Sequence, residues 1–351
     1  MMPPLPTVAA ILMALALTVA SLPTSFAAEP SSQLLKNPEV HRFIHKMALK
    51  HHYAEERLME LMGKVRIVSA LLKPGKPAEA LPWRRYRKIF LTAPRIQAGV
   101  RFWQTHRDTL TRAQEIHGVP PEIIVAILGV ESNFGKRKGK YPVLDSLTTL
   151  AFYGARRKNF FRRELEQFLL LIRDEKGLPD PHEIKGSYAG AMGLPQFISS
   201  SYRRYAIDFD QDGTRNLIYS IGDAIGSIAN YLAIHGWHKG HGVANQARIK
   251  KGAKLRPLLK KGIKPRTPFS ALKPFGVTID RKIPADEPVA IIRLSAQTGS
   301  EYWVVRNNFY TITRYNHSKL YAMAVYQLAQ AIQAQYAQQP RVIGPSSSST
   351  P

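Results

Sequence analysis

The chain has 351 residues, 44% of them hydrophobic, which is enough for a sizeable core in two or three domains and excludes a chain disordered throughout. Fifty Lys and Arg against 25 Asp and Glu leave a formal net charge of +25, so the surface attracts polyanions or an anionic cell envelope. Cysteine is absent, which excludes structural disulfides, thiol nucleophiles, cysteine metal sites and lipid attachment through a cysteine.

An apolar run from Val8 to Leu22, followed by the small-x-small pattern Ser25-Phe26-Ala27, reads as a secretory signal peptide over 1–27. No Lys or Arg precedes the run, which leaves an uncleaved anchor as the alternative; export argues against a nucleic-acid partner. The region 28–110 reads as helical. Val40, Phe43, Ile44, Met47 and Ala48 have helical spacing and predict helix between Val40 and Met62. His41 and His45, four apart, could share a metal on one face, but no HExxH pattern accompanies them and they read as solvated histidines beside Lys46 and Lys50. Lys73-Pro-Gly-Lys-Pro punctuates the chain. Leu81 to Phe90 then interleaves bases with Trp83 and Tyr86, a mixture suited to sugars or nucleic acid, and a helix from Gly99 to Ile116 follows.

The stretch Pro120-Pro121-Glu-Ile-Ile-Val-Ala-Ile-Leu-Gly-Val-Glu131-Ser-Asn-Phe-Gly135 is the centre of the sequence. Two prolines suit its first helical positions and Gly135 suits a left-handed cap, which predicts a helix of about four turns. Counting back from Glu131 by three, four and seven gives Leu128, Ile127 and Ile124, so the carboxyl lies on the apolar stripe that faces the core. Desolvation there raises a carboxyl pKa and fits it to act as a general acid near neutral pH. The competing reading is a helix-end ion pair with Lys136 or Arg137.

Val143 to Ile172 reads as helical, opening with Asp145 as a cap and Thr148 three residues on. Gly186 to Phe197 is too rich in glycine for a regular helix and too apolar for a linker; glycine there either lets the backbone approach a ligand or packs a tight turn. Asp208, Asp210 and Asp212, with Gly213, match the first half of a calcium loop, but Tyr219 occupies the twelfth position and Asn216 is the one further side chain placed to help. Ser220-x-x-Asp223 reads as a capping box opening a helix from Ala224 to His235. Nine Lys or Arg and no acid between Arg248 and Arg266 read as an exposed, flexible segment. Val289 to Leu294 and Tyr302 to Val305 form a β-hairpin pattern, Ser318 to Ala337 returns to helix, and the tail is disordered by composition.

Four motifs in order, Gly129-Val-Glu131-Ser-Asn-Phe-Gly135, Gly190-Ala-Met-Gly-Leu-Pro-Gln196-Phe197, Ala229-Asn230-Tyr231-Leu232 and Thr313-Arg314-Tyr315-Asn316, resemble the lytic transglycosylases of bacterial peptidoglycan, in particular the lytic murein transglycosylase B family. The resemblance runs from about Trp83 to Leu328. It implies a mainly α (α+β) fold, with a lysozyme-like helical catalytic core, an additional α domain and a small inserted β element. The boundaries that go with it are a catalytic core over 111–240 including the Asp-rich loop, a basic segment and β insert over 241–307, a helix over 308–338 completing the core, and a tail over 339–351. By motif, Glu131 is the catalytic acid and base, and Tyr86, Ser187, Gln196, Tyr231, Tyr315, Asn316 and Tyr321 line the cleft. The Asp-rich loop lacks its final acid and carries one extra residue before Asp223, so weak calcium binding at most is expected and no cofactor is required. The implied partner is the peptidoglycan glycan strand, met by a monomer in the periplasm that is not a lipoprotein and associates peripherally with the envelope.

Most glycosidases need two carboxylates, ~5–5.5 Å apart for retention or ~6.5–9.5 Å for inversion, and the sequence offers one convincing candidate. The resemblance implies how one suffices, with the substrate's N-acetyl group as nucleophile and a 1,6-anhydro sugar as product. The rival readings are a muramidase on the same scaffold and a peptidoglycan-binding protein without turnover.

Overall fold

The structure is a computed structural model and describes residues 34–73 and 78–339; the expected signal peptide, residues 74–77 and the tail from 340 lie outside the described residues. Asn37 opens the first helix by accepting the Glu39 N–H, with Pro38 at the first helical position. This α1 (Pro38–His51) buries Val40, Phe43, Ile44 and Met47 and ends at His52, whose φ is 52°. A second helix, α2 (Glu55–Gly63), buries Leu58, Leu61 and Met62. The two histidines do not converge on a metal: His41 meets the Leu35 carbonyl, and His45 lies 2.9 Å from Glu55.

Helix α3 (Trp83–Phe90) buries Trp83, Tyr86 and Phe90 and turns Arg84, Arg85 and Lys88 to solvent, so its aromatics belong to the core face. The helix expected from Gly99 to Ile116 is two, α4 (Ala93–Thr105) and α5 (Arg107–His117), which meet at His106. Then comes α6 (Pro121–Ser132). Every residue of it except Glu122 is buried, because α4, α5, a later helix α10 (Ile221–Ile234) and the last helix pack around it.

Strand β1 (Tyr141–Pro142) leads into α7 (Val143–Phe152) and α8 (Lys158–Asp174), and pairs antiparallel with β2 (Lys185–Gly186). Asp145 is not a cap. Pro142 holds that position, while the Asp145 carboxylate accepts the Arg66 N–H at 3.1 Å and Thr149 accepts that of Val68 at 3.0 Å, which ties the N-terminal region onto α7. Glu164 performs the capping that Asp145 does not, accepting both the N–H and the hydroxyl of Ser200 in the first turn of α9 (Ser199–Tyr205). Ser220 caps α10 through the Asp223 N–H, as the capping-box reading expects, but the reciprocal arm is missing. The Ser220 N–H goes to the Asn216 carbonyl, and Asp223 turns back to accept the N–H groups of Phe209 and Asn216, each at 2.7 Å.

The β element is a five-stranded antiparallel sheet in the order β4-β6-β7-β3-β5, built from β3 (Ala244–Ile249), β4 (Thr267–Pro268), β5 (Val277–Thr278), β6 (Pro288–Ser295) and β7 (Ser300–Val305). The expected hairpin is β6–β7, in the register Ile291 to Val304 and Arg293 to Tyr302. The basic segment, expected as exposed and flexible, has its bases exposed but is built of regular elements docked on the sheet. Arg248 and Ile249 belong to β3, α11 (Arg256–Leu259) follows, and Leu255 and Leu258 are buried with Leu272, Val289, Ile291 and Val304 in a core separate from the helical one. Apolar residues between the bases anchor the chain; the bases themselves point outward.

The chain re-enters the helical core through α12 (Asn307–Tyr315) and α13 (Lys319–Ala337), so the C-terminal helix is broken at Asn316–Ser318, where Ser318 caps α13 by accepting the Leu320 and Tyr321 N–H groups. No described helix is long and apolar enough to cross a membrane.

Candidate active site

The end of α6 is locked by three consecutive left-handed residues, Asn133 (φ 50°), Phe134 (φ 59°) and Gly135 (φ 84°), where the sequence suggested Gly135 alone. Asparagine tolerates this region and phenylalanine does not, so Phe134 is held there by its surroundings. Its N–H reaches the Leu128 carbonyl at 3.1 Å, and its ring folds back over Gly129, where a Cβ would stand 2.8 Å from a ring carbon. Ser132 accepts the Gly135 N–H at 3.0 Å. The last turn therefore has little freedom, and it carries Glu131.

Glu131 is 6% exposed. Neither Lys136 nor Arg137 pairs with it; both are exposed, and its partner is Tyr321 of α13, whose hydroxyl donates to Glu131 Oε1 at 2.6 Å. Burial pushes the Glu131 carboxyl up to about 8, the bond from Tyr321 pulls it down, and a second carboxyl, Glu79, pushes it further up. A group so placed is protonated at neutral pH and can give up that proton and take it back.

Tyr86, Tyr315 and Tyr321 lie within the field of Glu131; burial raises each phenol, helped by the Glu131 charge at Tyr315 and Tyr321 and by Glu79 and then Glu131 at Tyr86. Tyr315 and Tyr321 stack nearly parallel, 6.3 Å between centroids at 9°. Tyr315 in turn meets Tyr231 edge-on at 5.0 Å and Phe197 at 5.6 Å. The result is an aromatic wall from Tyr231 to the acid. The hydroxyls at its outer end are engaged within the protein, Tyr231 donating to the Arg314 carbonyl at 2.6 Å and Tyr315 to the Pro195 carbonyl at 2.5 Å. Of the two, Tyr315 is partly exposed and offers ring surface, while Tyr231 is buried with its ring stacked on His235.

The glycine-rich segment folds as a tight turn in which Met192 and Phe197 exchange backbone hydrogen bonds at 2.9 and 3.0 Å. Ser187 holds it by accepting the Ala189 and Ala191 N–H groups. Gln196, left-handed at φ 51°, donates its amide to the Gly193 and Lys138 carbonyls. At Gly193 (φ 75°) a Cβ would stand 2.4 Å from the Leu217 carbonyl oxygen, so the glycine is there for backbone approach. Tyr315 reaches this turn through Pro195; Ser187 bonds only within the turn itself among the described contacts.

Asn316 is 2% exposed and lies against Glu79, which the sequence reading missed. Glu79 sits in a short 3₁₀ turn, Ala78–Ala80, ahead of α3. Its carboxyl faces Tyr86 and Asn316, burial raises its pKa, and its Oε2 is buried with no hydrogen-bond partner among the described residues.

Asp208, Asp210 and Asp212 bring carboxylate oxygens within 4.8 Å of one another at the surface. Among the described residues no further side chain completes a calcium shell. Asn216 spends its side-chain oxygen on the Ile218 and Tyr219 N–H groups, Tyr219 is 62% exposed, and Asp223 is committed to backbone. Three hard oxygen donors fit calcium, but weakly, since it takes six to eight.

A buried, proton-holding carboxyl at the end of a helix, flanked by aromatic ring faces in a lysozyme-like helical core, defines a glycan-cleaving enzyme. The family described as transglycosylase SLT domain matches residues 36–330, and the chain belongs to it. It is 44% identical over 309 residues to the membrane-bound lytic murein transglycosylase B of Escherichia coli, covering 84% of this chain and 83% of that protein. The structure of the Escherichia coli lytic transglycosylase Slt35 in complex with calcium is similar at a TM-score of 0.77 and 44% identity, over 86% of this chain and 95% of that one. SltB3 from Pseudomonas aeruginosa in complex with NAG-anhNAM-pentapeptide is similar at a TM-score of 0.76 and 28% identity, over 87% and 80%.

Proposed function

We propose that this protein is a peptidoglycan lytic transglycosylase in which Glu131 is the single catalytic acid and base. Glu131 protonates the oxygen of the β-1,4 bond between N-acetylmuramic acid and N-acetylglucosamine. The muramic N-acetyl oxygen closes on the anomeric carbon as the bond breaks, and the Glu131 carboxylate then takes the proton of the 6-hydroxyl. O6 displaces the N-acetyl oxygen, leaving a 1,6-anhydro end and a reprotonated Glu131. The observation that carries this reading is the burial of Glu131 against Tyr321, which supports a neutral carboxyl at working pH. Glu79 is the one other carboxyl acting on Glu131 among the described residues, and Tyr86 and Asn316 already engage it, which argues against its serving as the second carboxylate of a muramidase.

In this reading Tyr315 covers a sugar face with Tyr231 and Tyr321 packed behind it, Tyr86 and Asn316 hold Glu79 beside the acid, and Ser187 and Gln196 fix the turn that borders the cleft. No cofactor takes part, and calcium at the Asp208 loop is weak and structural. The protein works in the periplasm as a monomer held near the envelope by its basic surface. Glu131→Gln tests the assignment on purified sacculi: general acid–base catalysis contributes ~10²–10⁴-fold, and a loss of that size is expected. A variant keeping most of its activity would overturn it.

A further inference from the structure

A cavity of about 690 Å³ opens between α11, β6, β7 and the first turn of α13. Arg256, Lys260, Arg293 and Lys319 line it together with Tyr302 and Ile263, and no acid does. None of these four bases forms an ion pair among the described residues, although other bases of the same sheet do, Arg248 with Asp280 and Arg306 with Glu287. Lys319 is fixed there, donating from Nζ to the Arg293 carbonyl at 3.1 Å. Its ammonium is disfavoured by burial and by the Arg293 charge beside it. Four like charges around a concavity repel one another, and an entering anion removes that repulsion.

Two elements of this cavity also build the cleft. Lys319 opens α13, the helix that carries Tyr321. Arg293 stands two residues before Ser295, whose hydroxyl accepts the Trp83 N–H at the head of α3, the helix that carries Tyr86. A glycan lying along the aromatic wall has uncharged sugars, and the negative groups near it are the carboxylates of the peptides that its muramic units bear. We infer that this cavity is a subsite for the carboxylates of the stem peptide, so that Arg256, Lys260, Arg293 and Lys319 select stem-bearing strands. The inference rests on the peptidoglycan reading of the Glu131 site.

The test compares the wild type with Arg256→Gln/Arg293→Gln and with Lys319→Met, on stem-bearing strands and on the same strands stripped by an amidase. Binding of the free pentapeptide and of inorganic phosphate is measured alongside by calorimetry. On stem-bearing strands KM is expected to rise about tenfold, the worth of one charge-assisted hydrogen bond, with kcat unchanged. Stripped strands should be cleaved as by the wild type, pentapeptide binding should weaken in parallel, and Lys319→Arg should restore both. Equal losses on both strands, no loss on either, or pentapeptide binding no tighter than that of phosphate would overturn the inference. A wild type that cleaves neither strand contradicts the peptidoglycan reading instead, and the pentapeptide measurement still decides the cavity.

Discussion

Tyr321 and Glu131, 190 residues apart in the chain, meet through a 2.6 Å hydrogen bond in which the phenol donates to the carboxyl. A donated bond favours the ionised acid, and burial opposes it and prevails. Tyr321→Phe removes the donor and leaves the burial, so the Glu131 pKa rises above about 8. The alkaline limb of kcat/KM should therefore move to higher pH, while kcat falls several-fold because the carboxyl loses its orientation. A limb that stays in place, or moves to lower pH, contradicts the role given to this bond.

Glu79 predicts the opposite shift. Its charge raises the Glu131 pKa, so Glu79→Gln should lower it and draw the alkaline limb to lower pH with a small change in kcat. Measuring the pH profiles of both variants together separates field effects from loss of fold, since general disruption would not move the limb in opposite directions. An unmoved limb in Glu79→Gln would show that Glu79 does not act on the acid.

Much of this arrangement is written locally and some of it is not. Glu131 stands out because a carboxyl on an apolar stripe breaks a periodic pattern, and the β6–β7 hairpin because alternating residues flank a glycine turn. Glu79 lies in an Ala-Glu-Ala turn that no periodicity marks, and only the packing of α3 and α13 brings it to the site. Leu255 and Leu258 are outnumbered by bases in the stretch read as flexible, yet two buried leucines suffice to dock it on the sheet. Asp223 was legible as a capping partner, but its burial on Phe209 and Asn216 depends on how the Asp208 loop folds back.

The same burial makes stability depend on pH. A carboxyl raised from 4.5 to about 8 binds its proton more tightly in the folded state than in the unfolded chain. Stability from this group is therefore greatest below about 4.5 and falls as pH rises to about 8. Glu131→Gln cannot ionise and escapes that loss. It should match the wild type in urea unfolding at pH 4 and exceed it at pH 8.5 by about 3–5 kcal/mol. A difference that does not grow with pH contradicts the burial of a neutral acid.

Calcium should be dispensable. With three converging carboxylates and neither Asn216 nor Tyr219 free to complete a shell, chelation should leave turnover unchanged and millimolar calcium should raise the melting temperature only slightly. Loss of activity on chelation, restored by calcium, would contradict this.

The central claim is that one carboxyl serves both proton transfers and the substrate supplies the nucleophile. Mass spectrometry of the fragments released from purified sacculi tests it most directly. The account predicts muropeptides ending in 1,6-anhydromuramic acid, each lighter by one water than the corresponding reducing-end fragment, and no such ends from Glu131→Gln. Fragments that carry free reducing ends, with water incorporated at the muramic anomeric carbon, would contradict it.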